Sequence, residues 1–194
     1  GALSIAAFLG VALIGVLQGI LVAIGLSFIA FVNLAWRPYR TELGRVPGLR
    51  GYHDVTRHPE AERIDGVLII RFDAPLFFAN GGMFDDYVRG KVREARTAGR
   101  ELHTVIIAAE PIVDIDATAV DELVELDDYL RSHGITLVFA EMKDPVRDIL
   151  RRYDLRVDGR PRFDDTHFAP TTGAKIDEIT GQPRRDVQKS NDGI

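Results

Sequence analysis

The 194-residue chain has no cysteine. That rules out a disulfide framework and thiolate chemistry, and it suits a domain that faces the reducing cytosol. Basic residues are in the minority, with 24 Lys and Arg against 29 Asp and Glu and a formal net charge of -5. No basic stripe dominates, which argues against a nucleic-acid partner. Nucleotide signatures are missing too: there is neither G-x-x-x-x-G-K-[ST] nor a strand-linked G-x-G-x-x-G. The five histidines (His53, His58, His103, His133, His167) lack ligand spacing, so no metal site and no cofactor is expected.

The most informative absence is local. From Gly1 to Trp36 there is no Asp, Glu, Lys or Arg, and every formal charge lies from Arg37 onward. A membrane span needs about 20 apolar residues, and this run exceeds that. A secretory signal would begin with basic residues and carry a shorter apolar core of roughly 7–15 residues. Residues 1–36 therefore read as an all-α transmembrane segment, either one long tilted helix or two short ones broken near Gln18-Gly19. Gly10, Gly15, Gly19 and Gly25 would let other helices approach closely, and Gly15 with Gly19 makes a G-x-x-x-G. Small-residue faces in a lone helix have nothing to pack against, and the chain begins inside an apolar segment without methionine. The expectation is the C-terminal part of a larger polytopic protein, with a single-span tether as the alternative. Trp36 and Tyr39 sit like interfacial anchors. Arg37, Arg40, Arg45 and Arg50 against Glu42 place the remainder of the chain in the cytoplasm.

The charged remainder alternates strand and helix patterns. Pro38 to Gly51 reads as a basic linker punctuated by Gly and Pro, followed by a short edge strand at Tyr52–Val55. Gly66–Phe72 (GVLIIRF) is a strand bounded by turn residues, and Leu76–Ala79 reads as its partner. Asn80 is expected to cap a helix over Gly81–Ala98, with Phe84, Tyr87, Val88 and Val92 facing the core. Ile135–Ala140 is a buried strand. Asp144-Pro145 reads as a cap followed by proline at the first helical position, opening a helix to about Tyr153. A short extended piece near Arg160–Phe163 and a last helix near Thr172–Ile179 come after it. Residues 182–194 are polar and read as a disordered tail.

The organising stretch runs from His103 to Leu130. Thr104–Ala109 is a continuous apolar, β-branched run, the mark of a strand covered on both faces. Glu110-Pro111 breaks it, and Asp116 then stands where an N-cap belongs. Val120, Leu123, Leu126/Asp127 and Leu130 keep helical spacing, while Asp121, Glu122, Glu125, Asp127 and Asp128 read as a solvent face open to a basic partner. Thr118 puts a hydroxyl at the helix N-terminus, a favourable place for a phosphate or for a partner that reads one; the plainer reading is a solvent-facing residue after a cap. Asp114 with Asp116 resembles an acid/base pair, but two residues apart before a helix they are better explained as turn and cap. Asn80-Gly81-Gly82 offers bare amides to an anion, although such glycines more often let a helix begin close under a sheet. No enzyme constellation stands out.

Three stretches in order carry a resemblance: AWRP with LGRVPG and Tyr52-x-Asp54-Val55, then GVLIIRFDAPLFFANGGMF, then PIVDIDATAVDELVEL. Together they resemble the C-terminal end of a SulP-type (sulfate permease) anion transporter, whose membrane domain is followed by a cytoplasmic STAS domain. The resemblance implies an α/β fold, a STAS-type mixed β-sheet with helices packed against it, preceded by the transmembrane segment. It implies 1–36 as the last membrane segments, 37–48 as a basic juxtamembrane linker, 49–181 as the STAS domain and 182–194 as a tail. In the anti-sigma-factor antagonists for which STAS is named, the corresponding loop reads Asp-Ser-Ser-Gly and its second serine is phosphorylated. Asp116 matches that Asp, Ala117 the first serine, Thr118 the phosphorylated serine and Ala119 the glycine. The chain keeps the hydroxyl and departs at both neighbours, which weighs against sigma-factor partner switching. The implied function is the C-terminal portion of a secondary inorganic anion transporter, by family name for sulfate, in the plasma membrane. Its STAS domain would be regulatory through Asp114, Asp116 and Thr118. The implied partners are membrane lipid, the transporter's remaining helices, a second copy in a homodimer, and a regulatory protein. The alternative is a membrane-tethered STAS switch resembling the antagonists.

Overall fold

Three largely buried, apolar runs rich in β-branched residues form the centre of the sheet: β3 (Gly66–Phe72), β4 (Leu102–Ala108) and β5 (Thr136–Ala140). A computed structural model describes residues 1–5, 8, 16–35, 38–153, 156–157 and 159–181. The chain separates into two units, Gly1–Pro38 and Tyr39–Ile194.

The first unit contains α1, Val16–Ala35. Leu17, Leu21, Ile24 and Phe28 are exposed along it, while Gly19 is buried and Ala23 and Leu26 are half-buried. Among the described residues no helix is long and apolar enough to cross a membrane. Gly10, Gly15 and Trp36 lie outside the described residues, as does the choice between one helix and two.

The second unit is built on a six-stranded mixed sheet in the order β2-β1-β3-β4-β5-β8, where β1 is Arg40–Arg45, β2 is Tyr52–Asp54 and β8 is Phe168–Ala169. Strands β3, β4, β5 and β8 run parallel, while β1 is antiparallel to both neighbours. Helices α2 (Gly81–Thr97), α3 (Ala117–Ser132) and α4 (Asp144–Arg152) connect the parallel strands. Their apolar stripes, including Phe84, Val88, Val92, Leu123, Leu126, Val146 and Leu150, pack with Ile70, Phe72, Ile107 and Phe139 in the main core. A smaller core on the other face joins Val67, Ile69, Ile106 and Val138 to Ile176 of α5 (Thr172–Thr180). A two-stranded piece, β6 (Arg156–Val157) with β7 (Arg160–Pro161), stands apart from the main sheet.

Five expectations need correction. The stretch 37–48 is not simply a linker: Arg40–Arg45 is a strand inside the sheet. Its polar residues are held by distant partners, Glu42 by Arg63 and Arg100 and Thr41 by Asp54. Leu76–Ala79 is no strand: only Leu76 bridges, to Ile115, and residues 77–79 do not continue the pairing. Asn80 sits at the helix start without capping it. Its amide instead accepts from the Phe77 N–H and donates to the Pro75 carbonyl, tying the loop to itself. Asp144 lies within α4, and Lys143 occupies the cap position. Asp127 is not on the solvent face: it is fully buried, accepting from Arg131 Nε at 2.7 Å and Arg162 at 2.8 Å. The tail, 182–194, lies outside the described residues.

Candidate functional site

Helix α3 begins where β4 ends and the loop 109–116 crosses to the loop after β3. Ile115 is buried, 4% exposed, and bridges in parallel to Leu76. This pins the loop from below and turns Asp114 outward. Asp114 accepts from the Leu76 N–H at its carbonyl (3.0 Å) and from the Ile115 N–H at Oδ1 (2.9 Å). Asp116 has extended backbone, φ -95° and ψ 173°, as an N-cap requires. Its Oδ1 accepts from the Ala119 N–H at 2.9 Å, Oδ2 accepts from the Phe78 N–H at 2.8 Å, and its own N–H donates to the Leu76 carbonyl at 3.1 Å. One carboxylate therefore both caps α3 and fastens the 76–78 loop to it.

Thr118 is the second helical residue and is exposed. Helix starts leave their first amides without intrahelical partners and carry partial positive charge. A phosphate on that hydroxyl is favoured by about 0.3–1 kcal/mol from the macrodipole. Against it stand Asp116 two residues away and the exposed carboxylates of Asp114 and Asp121. The arrangement leaves Thr118 exposed at the positive end of the helix.

Gly81 and Gly82 lie beside this corner. A Cβ on Gly81 would meet Glu122 Cγ at 3.2 Å and Ala119 Cα at 3.4 Å, so α2 and α3 approach closely only because no side chain is there. A Cβ on Gly82 would lie 3.7 Å from Glu122 Oε1. A carboxylate thus stands beside Gly82, and the Asn80 and Gly81 N–H groups already donate to the Phe77 carbonyl, each at 2.9 Å. Burial, then the nearby Glu125 and Asp85, push the Glu122 carboxyl above its ordinary range. The structure brings Asp114, Asp116 and Thr118 together at one corner, with the Asn80–Gly82 turn packed against the next turn of α3. Among the described residues no group of His, Asp and Glu is disposed to hold a metal ion.

Two features of the structure are hidden in the sequence. Phe78 is 74% exposed and Val113 is 50% exposed, flanking the Asp116 corner. The Leu76–Ala79 run conceals Phe78 because its apolar residues look like one strand. The second is Asp54, buried in β2, whose Oδ1 accepts from Thr41 Oγ1 (2.6 Å) and from Thr56 N and Oγ1 (2.7 Å each) and whose Oδ2 accepts from the Tyr39 hydroxyl. Burial pushes its carboxyl up, but the hydrogen bonds from Thr41, Tyr39 and Thr56 outweigh this and hold it well below the usual carboxylate range. Its one visible signal is its place in the Tyr52-x-Asp54-Val55 motif.

Comparison with known proteins gives the site its context. The STAS domain family model matches residues 58–169. A probable sulfate transporter of Mycobacterium tuberculosis is 34% identical over 142 residues, covering 73% of this chain and 25% of the relative. Sulfate transporter 1.3 of Arabidopsis thaliana is 34% identical over 149 residues, covering 72% of this chain and 22% of its own. The chain thus spans about a quarter of the length of these curated relatives. Among solved structures, the murine Solute Carrier 26 family member A9 anion transporter in the inward-facing state aligns with a TM-score of 0.75 at 19% identity. That alignment covers 93% of this chain and 28% of the transporter, and it speaks for the fold.

Proposed function

This chain belongs to the STAS domain family, matching the C-terminal STAS-bearing part of SulP-type proteins, and from that premise we propose that it is the regulatory tail of a secondary inorganic anion transporter, with sulfate as the transported ion. The observation that carries the reading is the 34% identity to a probable sulfate transporter over 142 residues. The exposed apolar side chains of α1 support a lipid environment for the first unit, since soluble proteins rarely present so continuous an apolar surface. In this reading the first unit packs with the transporter's remaining helices in the plasma membrane, the second unit faces the cytoplasm, and the assembled protein is a homodimer. The transporter names of the relatives weigh against a free-standing tethered switch.

Within that frame Asp114, Asp116 and Thr118 form the regulatory corner. Asp116 holds the corner in shape, and Thr118 presents the modifiable or partner-read hydroxyl. The test is sulfate uptake by the full-length gene product in proteoliposomes, with wild-type sequence and with Thr118→Glu. The reading expects saturable uptake that Thr118→Glu alters while the melting temperature holds. No sulfate uptake by a correctly inserted full-length protein would overturn it.

A further inference from the structure

The β1–β2 hairpin has a surface that its sequence does not announce. From Tyr39 to Arg63 the chain carries five arginines and four acids, close to balance. The structure separates them. Glu42 and Asp54 are turned inward, with side chains 6% and 10% exposed: Glu42 pairs with Arg63 and Arg100, and Asp54 is surrounded by the hydroxyls of Tyr39, Thr41 and Thr56. Arg40, Arg45, Arg50 and Arg57 remain exposed, Arg57 at 75% of its side chain.

The pairing register places the important residues on one face. Leu43 pairs with Asp54, Arg45 with Tyr52 and Thr41 with Arg71, so all six project to the same side of the sheet. On that side Tyr39, Tyr52, Arg57 and Arg71 wall an open groove of about 400 Å³ floored by Asp54. The Arg57 guanidinium lies over the Tyr39 ring, 5.7 Å from its centroid, and Tyr39 is itself 42% exposed. The carboxylates nearby are Asp54, whose Oδ2 lies 3.7 Å from Arg57 Nε in addition to its hydroxyl partners, Asp73 bound to Arg71 Nε at 2.7 Å, and the exposed Glu62, whose backbone bridges to Arg45. Arg40 is on the opposite face, over Tyr87.

Arginine and tyrosine together are the composition of a membrane interface, where amphipathic rings sit at headgroup level and guanidinium groups meet phosphates. The chain's continuity points to the same partner. Tyr39 is three residues beyond Trp36, the end of the charge-free stretch, a reach of about 10 Å even when fully extended. We propose that this face of the hairpin, Tyr39, Arg45, Tyr52, Arg57 and Arg71, is a docking surface for anionic phospholipid headgroups. The inference rests on the first unit being membrane-embedded, as proposed above. Juxtamembrane basic residues are drawn to an anionic leaflet, and the attraction falls off within a Debye length.

The absence of cysteine makes the test direct. A spin label on Tyr52→Cys in the full chain, reconstituted in phosphatidylcholine nanodiscs with or without roughly one quarter phosphatidylserine, reports access by a water-soluble relaxation agent. The proposal expects access to fall several-fold in the anionic discs, to recover near 1 M salt where the screening length is about 3 Å, and to stay high when Arg45→Glu and Arg57→Glu are added. A label at Asp121→Cys on α3 should not respond, and glycerophosphate in solution should not mimic the discs. Equal access in neutral and anionic discs, with the chain inserted, overturns the docking surface alone. Protection that appears in neutral discs and grows with protein concentration overturns it in favour of a second copy on this face. Failure of the chain to enter discs, read from Trp36 fluorescence, overturns this inference and the membrane reading together.

Discussion

The two ends of helix α3 are built in opposite ways. At its start, Asp116 caps the helix and holds the Phe78 loop, while Thr118 and Asp114 stand in solvent. Toward its end, Asp127 is buried with its side chain 1% exposed, and Arg131 and Arg162 converge on its Oδ2. Arg162 reaches Asp128 at 2.7 Å as well, and Arg131 extends to the Arg162 carbonyl and to His167, each at 3.4 Å. This network fastens the segment that carries β8, the edge of the sheet. One end of the helix is thus buried and tied to the edge of the sheet, while the other is capped and stands in solvent.

The contrast is most vulnerable at the anchor. Asp127→Ala removes a buried partner and leaves Arg162 with the half-exposed Asp128 and the Val124 carbonyl, and losing one side of a buried pair costs about 3 kcal/mol or more. Urea unfolding of the detergent-held chain should show that loss, with hydrogen exchange rising first at β8. Replacing Asp127 and Arg162 together by apolar residues of similar size should recover most of it.

Acid should act next, through Asp54. Its folded carboxyl lies below the ordinary range, so its contribution is complete above the unfolded value of about 3.9 and declines as pH falls further toward the folded one. Stability of the second unit should therefore drop progressively below about pH 4. Asp54→Asn should flatten that part of the profile and lower stability near neutrality. A wild-type curve that Asp54→Asn leaves unchanged would mean other carboxylates govern the acid limb.

Asp116→Ala should cost about 1 kcal/mol, the usual worth of an N-cap. It should also loosen the Phe78 loop, visible as faster exchange at the Phe78 and Ala119 amides. Thr118→Glu has the smallest expected effect on stability, within about 0.5 kcal/mol as for other surface substitutions. Unfolding by Thr118→Glu would erase the contrast between the two ends of α3.

How far the sequence can be read depends on where each residue's partners lie. The buried strands β3, β4 and β5 and the helices α2 and α3 announce themselves because their apolar runs and spacings are local. The Asp116 cap is legible for the same reason, since its acceptor and the Ala119 amide are three residues apart. Strand β1 reads as linker because Glu42 finds its partners 21 and 58 residues away, at Arg63 and Arg100. Asp127 reads as solvated for a like reason: Arg162 lies 35 residues on. Asn80 misleads because its amide bonds backward to Pro75 and Phe77 instead of forward into its helix.

Whether this chain is the tail of an anion transporter is decided most directly by the mass of the native gene product. A tail requires a product several times longer than this chain, with further apolar helices preceding Gly1; the chain covers 25% of one curated relative. A native product that begins close to Gly1 would contradict the transporter reading and leave a tethered STAS domain in its place.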